Sequence, residues 1–380
     1  MDFNFNEDQQ AFADSAQALF ADYCNDDSLR AHDAGSAPYM EQLWQQCVAN
    51  GLHSVILPEE FDGLGMGMTE LMAVLEQQGR ALALVPLAEQ QLVAATVARY
   101  APALHSIARQ AVSAEVLLTL SLDGLRAAAG MPLQLQQKEG RLVLDGVAHA
   151  VPLGAQASHA LLAVQYEGQP RLVLLDLATP GLQKIEGRSQ HHLALADLVC
   201  HALPLPQDCL LGQGAQGWLE PRLVAALASL QLGVSVQQMK RTVDYVSERK
   251  QFGRVVGSFQ LVAGQMADGY IAVEALRSAL TQLIYRLDKG LGCAPQALSV
   301  KVLAAEAAHL VGHKAQHVHG GIGVDISYPI HRFLYWSRAL GNVLGGTEQS
   351  LALLGDWLAD HDCLGWKYDL AEDLGADHAI

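Results

Sequence analysis

Up to about residue 114 the apolar positions recur at helical spacing, with Phe12, Ala16, Leu19 and Tyr23 on one face. Asn6 followed by Gln9 predicts a capping box at the head of that first helix. The stretch Leu57–Gly67 mixes proline, glycine and acid and reads as a loop, with Thr69 expected to cap the helix behind it. Between about 115 and 213 the spacing changes. Short apolar runs at Val116–Leu122, Arg141–Val151, His159–Glu167 and Pro170–Leu177, parted by Gly, Pro and Asp, predict strands of a small barrel or sandwich.

From Trp218 the helical period returns. Leu223, Leu227, Leu230 and Val234 form a stripe behind Pro221, read as a first-turn proline, and this helix is expected to reach about Gly253. A second helix is predicted from Ser258 to Gly290 and a third from Ala294 to His319. A fourth follows Pro329 and breaks at Gly345-Gly346. Long helices with short connections make an antiparallel four-helix bundle the economical assembly. The expected fold is therefore mainly α with a central β domain. Its parts are an N-terminal helical domain over 1–114, a β barrel or sandwich over 115–213, and a C-terminal four-helix bundle over 214–380. That last part ends in a loosely held acidic segment from Ala359.

Charge removes one class of function. A net charge of −16 over 380 residues lacks the clustered Lys and Arg of a phosphate-tracking surface, so no nucleic-acid partner is expected. Cys24, Cys47, Cys200, Cys209, Cys293 and Cys363 are scattered with no C-x-x-C pair, which predicts free thiols in a reducing compartment. The acidic start does not read as a secretory signal. Leu223–Val236, the nearest approach to a bilayer-spanning run, contains Ser229, Gln231 and Ser235. A cytoplasmic protein with no membrane partner is expected.

Candidate chemistry gathers in the last third. Arg249-Lys-Gln-Phe-Gly253 could be no more than a helix end with a terminal cation and a capping glycine. It could equally turn the guanidinium fork of Arg249 to a diphosphate and lay Phe252 against a heteroaromatic ring. Gly320-Gly321, within Gln316-His-Val-His-Gly-Gly-Ile-Gly323, either end a helix or let a cofactor lie against bare backbone. His313 and His317 stand four apart on a helix, but no third ligand is evident and no metal site is expected. The glycines of Gly63–Gly67 are spaced G-x-G-x-G and do not fit a dinucleotide fingerprint.

Arg249–Gly253, Ser258-Phe-Gln260, Gly320-Gly321, Tyr328-Pro329, Arg332 and Gly346-Thr347 together, in this order, resemble the acyl-CoA dehydrogenase family. The resemblance spans the whole chain and is strongest from Arg249 to Thr347. It implies an acyl-CoA substrate, an oligomer, and FAD addressed by Arg249, Phe252, Gln260, His317, Gly320, Gly321 and Thr347. His317 occupies a position where the family usually has glutamine, with Gln316 adjacent. In the family the corresponding Arg and Phe reach across an interface to a neighbour's FAD. An electron-transfer flavoprotein is a further partner that the resemblance admits.

Such enzymes need a carboxylate to take a weakly acidic proton next to the thioester carbonyl, while the flavin takes a hydride from the next carbon. Most members place this Glu just before the Gly-Thr pair, where this chain has Leu344 and Gly345. A minority place it 26 residues before the flavin-binding Arg, which falls on Leu223 here. Glu220 lies one turn away, read as a helix-start acid whose basicity the dipole lowers. No catalytic residue is assigned. The family's Thr-Glu-Pro-x-Ala-Gly-Ser-Asp loop is replaced by Ser121–Pro132, and its Trp-Ile-Thr by residues near Ala150-Val-Pro-Leu153.

This pattern is similar to that of α2β2 bacterial enzymes acting on steroid side chains, built from two related chains with half the usual flavin. The resemblance therefore implies the subunit that completes the FAD site for a base-bearing partner, in lipid or steroid catabolism. Two alternatives stay open. One is a homo-oligomer that uses Glu220 as base, and the other is a partner that binds acyl-CoA or another subunit without flavin.

Overall fold

A computed structural model of the chain describes residues 5–361; the acidic segment beyond, with Cys363, lies outside the described residues. Six helices come first: α1 (Glu7–Tyr23), α2 (Asp26–Ala34), α3 (Glu41–Ala49), α4 (Met68–Ala81), α5 (Leu87–Tyr100) and α6 (His105–Val112). Strands β1 (Leu118–Ser121), β2 (Leu133–Lys138), β3 (Arg141–Pro152), β4 (His159–Tyr166), β5 (Gln169–Asp176), β6 (Gln183–Arg188) and β7 (Ala194–Leu205) follow. Then come α7 (Ala215–Glu248), a ribbon of β8 (Lys250–Gln251) and β9 (Arg254–Val255), α8 (Gln260–Asp288), α9 (Ala294–His319), α10 (Ile330–Asn342) and α11 (Thr347–Asp360). The architecture is mainly α with a central sheet, as expected.

The chain divides into two compact units. Among the described residues, one gathers 5–34, Met72–Ala83 and 224–361; the other holds Gly35–Leu71 and Leu84–Leu223.

In the first unit α8 and α10 both pack on α9, and α11 packs on α9 as well. α1 starts where the sequence placed it. The Asn6 carboxamide oxygen accepts from the Gln9 backbone N–H at 2.8 Å, and the Gln9 side chain accepts from the Asn6 N–H at 3.0 Å. α4 and α7 meet backbone to backbone. A Cβ at Gly79 would lie 2.1 Å from the Leu230 carbonyl oxygen, and one at Gly233 would lie 2.0 Å from that of Glu76. Glycine is there for closeness. Gly233→Ala is expected to destabilise the fold by about 1–3 kcal/mol or more, because neither wall is a movable side chain. A thermal midpoint equal to that of the parent would contradict this packing.

Two helix starts differ from expectation. α7 begins at Ala215, six residues before Pro221, so that proline lies inside the helix. Ala215 and Leu219 are buried and extend the apolar stripe about two turns upstream, which overrides the first-turn reading of Pro221. α4 begins at Met68, so Thr69 is not its cap. The Glu70 carboxylate closes that end, accepting from the Gly67 N–H at 2.9 Å. The α7 segment is the one helix among the described residues with the length and apolarity of a membrane span, but 83% of its apolar window is buried inside the protein.

In the second unit the strands form one seven-stranded sheet in the order β1-β4-β2-β3-β7-β6, with β5 on β4. β1 and β2 both run parallel to β4, the first along Leu118–Ser121 and the second at Gln134–Leu135. Leu175 of β5 and Leu198 of β7 share one buried cluster with Leu135, Leu144 and Leu162, so the sheet curls over a single core. β2, β6 and β7 were not foreseen. β6 is almost wholly exposed, and so carries no alternating apolar signal.

Candidate functional site

α7 stops at Glu248 rather than continuing to Gly253. Lys250 pairs with Val255 and Gln251 with Arg254, leaving Phe252-Gly253 as a two-residue turn. Their φ values of 51° and 78° are both left-handed, as a type I′ turn demands. Glycine adopts that conformation freely, whereas phenylalanine does so at a cost. The ring of Phe252 is 92% exposed, touching only Phe259 edge-on at 6.3 Å among the rings. Arg249, just before the ribbon, is exposed too, and its guanidinium enters no ion pair among the described residues.

The same end of the bundle carries the start of α8 and the finish of α9. Gln260 is the exposed first residue of α8. Across the groove His317 Nδ1 lies 3.0 Å from Gln265 Oε1, so the imidazole donates to the amide. Gly320 ends α9 at φ 63°, ψ −139°, which excludes a side chain there, and a Cβ at Gly321 would meet open space. Beneath them His319 donates Nδ1 to the Ala315 carbonyl at 2.8 Å and stacks on Tyr245 at 4.3 Å. Burial lowers the His319 pKa, keeping the ring neutral, and its Nε2 has no hydrogen-bond partner. The Gln316 carboxamide oxygen is likewise buried and unpaired. Arg249, Phe252, Gln260, His317, Gly320 and Gly321 therefore share one end of the unit. That end offers a free guanidinium, an exposed ring and uncovered backbone, a donor set suited to an anionic aromatic ligand.

Thr347 opens α11, beyond the finish of α10. Lys301 Nζ donates to the Gly341 carbonyl at 3.0 Å, fixing the finish of α10 against α9. At 1.5 Å per residue, the stretch of α9 from Lys301 to His317 spans about 24 Å. Between α10 and α11, Leu344 is buried at φ 58°, Gly345 has φ 79°, and Gly346 precedes the first turn of α11. Glu348, next to Thr347, is exposed. His313 has His309 as its ring neighbour, at 4.3 Å, and not His317.

The second unit holds the candidate acid. Glu220 is fully buried on the sixth residue of α7, bound to Arg126 and accepting from Gln216 Nε2 at 3.2 Å. Arg126 comes from the 3-10 turn Asp123–Arg126 behind β1. Burial pushes the Glu220 carboxyl above its ordinary range, while Arg126 and Gln216 pull it back. The expectation of a helix-start acid governed by the dipole is thus corrected. The second turn of α7 is too far in for that effect, and desolvation dominates. At the end of β3, Ala150 (φ 50°) and Leu153 (φ 49°) are left-handed, and the Pro152 carbonyl accepts the Thr119 hydroxyl at 2.5 Å. Arg126, Gln216, Lys301, Gln265 and His319 escaped sequence reasoning. Only His319, beside Gly320, stood near a motif that could have drawn attention to it.

Comparison with known proteins fits this layout. Residues 6–103 match the acyl-CoA dehydrogenase N-terminal domain and residues 222–358 the C-terminal domain. The chain is 31% identical to acyl-CoA dehydrogenase FadE27 of Mycobacterium tuberculosis over 379 residues, covering 95% of this chain and 99% of that one. A solved variant of the Tcur3481-Tcur3483 steroid acyl-CoA dehydrogenase is 33% identical with a TM-score of 0.88, covering 93% of this chain and 98% of that one. The ChsE4-ChsE5 complex from Mycobacterium tuberculosis is 29% identical with a TM-score of 0.90, over 96% and 100%. This chain belongs to the acyl-CoA dehydrogenase family, whose members are flavoprotein oxidoreductases acting on CH–CH bonds.

Proposed function

We propose that this chain completes the FAD site of a heteromeric acyl-CoA dehydrogenase whose catalytic carboxylate is supplied by a related partner chain. The observation that carries the reading is a contrast within one molecule. The end built from Arg249, Phe252, Gln260, His317, Gly320 and Gly321 is uncovered and ready for a ligand. The carboxylate nearest the family's minority base position, Glu220, is sealed behind Arg126, and the majority position is Leu344-Gly345. The names of two similar structures each join two components, which supports a hetero-oligomer.

In this reading Arg249 binds the diphosphate of FAD and Phe252 lies against one of its rings, both in a cofactor shared with a neighbouring chain. His317, Gly320 and Gly321 offer an imidazole and open backbone to the nucleotide. Thr347, at the start of α11, addresses a different stretch of cofactor. Bound FAD would accept the hydride from the carbon β to a bulky acyl-CoA thioester. Glu220 takes no proton in this reading, because Arg126 and Gln216 occupy its oxygens.

The test is expression of the chain alone and together with an acyl-CoA dehydrogenase-like chain encoded beside it. Flavin absorbance and dye reduction by acyl-CoA are measured for each. The complex is expected to be yellow and active, and the lone chain to turn over at least about 10²-fold more slowly, the scale of a missing general base. Equal flavin content and equal turnover in the lone chain would sink the proposal in favour of a homo-oligomer.

A further inference from the structure

A second candidate binding site lies inside the first unit, in a cavity of about 270 Å³ among α1, α2, α4, α7 and α10. That is far above the ~10–15 Å³ of such volume that one water needs. Its wall carries Arg80, Lys240, Arg241 and Arg332 but only one carboxylate, Asp26. In a chain of net charge −16 such a grouping is unexpected. The carboxylates around it leave the cations unequally satisfied. Asp26 takes both Nη atoms of Arg241, at 2.9 and 3.0 Å. Glu76 holds Arg80 at 2.6 Å. Asp33 engages only Nε of Arg332, at 2.6 Å, and Nη1 of that buried guanidinium has no hydrogen-bond partner. Lys240 is in no ion pair among the described residues. Glu76 is shared with Arg277, which also meets Glu274, so five cations stand against Asp26, Asp33, Glu76 and Glu274, one fewer negative charge than positive.

Arg332 lines this cavity with only its Nε hydrogen-bonded, beside the unpaired ammonium of Lys240, and cations brought together so call for an anion. We infer that this cavity binds a small oxyanion of the phosphate class, held by Arg332 and Lys240. Donors approach from separate helices, α7 and α10, rather than from one planar fork. An anion with oxygens in several directions suits them better than a flat carboxylate. The site owes nothing to Arg249, Phe252 or Gly320, and the inference does not depend on the proposed flavin role.

The experiment titrates the full chain, with its partner if one is needed, with inorganic phosphate in a buffer free of phosphate. Calorimetry and the thermal midpoint are read, with acetate and with chloride at matched ionic strength as separate arms. Saturable phosphate binding that raises the midpoint is expected, with acetate at least tenfold weaker. Lys240→Gln, at an exposed position, is expected to weaken phosphate at least tenfold while leaving the ligand-free midpoint unchanged. Arg332→Lys keeps the charge but loses the fork and is expected to weaken it further. Phosphate acting no differently from chloride, acetate binding as tightly as phosphate, or Lys240→Gln binding phosphate as tightly as the parent would each overturn the inference.

Discussion

Arg126→Met is expected to cost the fold about 3–5 kcal/mol, because it strands a fully buried carboxylate without its counter-charge. The double variant Arg126→Met with Glu220→Leu is expected to recover most of that loss, since apolar replacement of a buried pair is often close to neutral. Urea unfolding of the three proteins measures both statements, and a double variant no better than the single would refute the account. The deficit also has a pH signature. Burial already holds the Glu220 carboxyl above its ordinary value, and Arg126 is the larger of the pulls opposing that rise. A carboxyl with a raised folded-state pKa binds its proton more tightly when folded. Its penalty is therefore absent below the unfolded pKa and develops as pH climbs through the folded one. Without Arg126 the rise grows, so the deficit of the single variant should shrink as pH falls toward the ordinary carboxylate range. A deficit independent of pH would count against an ionised Glu220 as its source.

Arg249→Ala in the co-expressed complex is expected to weaken FAD binding by about 10- to 150-fold, the worth of roughly 1.5–3 kcal/mol for a hydrogen bond to a charged group. Arg249→Lys should restore only part of this, since a point charge cannot reproduce a planar fork. Phe252→Ala should cost less, about 0.5–1.5 kcal/mol beyond lost area for an aromatic pair. Neither residue supports its own fold, because both side chains are exposed. The thermal midpoint of the flavin-free chain should therefore stay within the change usual for a surface substitution, about 0.5 kcal/mol. Flavin release followed by fluorescence reads the first effect. An unchanged release rate in Arg249→Ala would remove that residue from the cofactor site.

Elements punctuated by local chemistry were readable from the chain alone. The capping pair Asn6 and Gln9, the stop at Gly290 and the Gly320-Gly321 finish of α9 all act within a few residues. The ribbon after Glu248 was hidden because its turn places a phenylalanine in a left-handed conformation, which no propensity favours. Pro221 misled because its usual helical position is the first turn, and only the burial of Ala215 and Leu219 shows that the helix starts earlier. Arg126 and Glu220 are 94 positions apart, and the cavity around Arg332 draws on five helices. Pairings of that range leave no periodic trace. The surface residues Arg249, Gln260 and His317 were found by resemblance, for exposed polar side chains carry no signature of their own.

The discontinuity of the first unit bears on how the protein is made. Asp26 waits 215 positions for Arg241, and Asp33 waits 299 for Arg332. At the usual ribosomal pace of 5–20 residues per second, the second delay lasts roughly 15–60 s. Throughout it, the segments of α1 and α2 lack their partners on α7 and α10, whereas the sheet from β1 to β7 can close as soon as Leu205 has emerged. The amino terminus, first to leave the ribosome, is among the last parts to reach its native contacts.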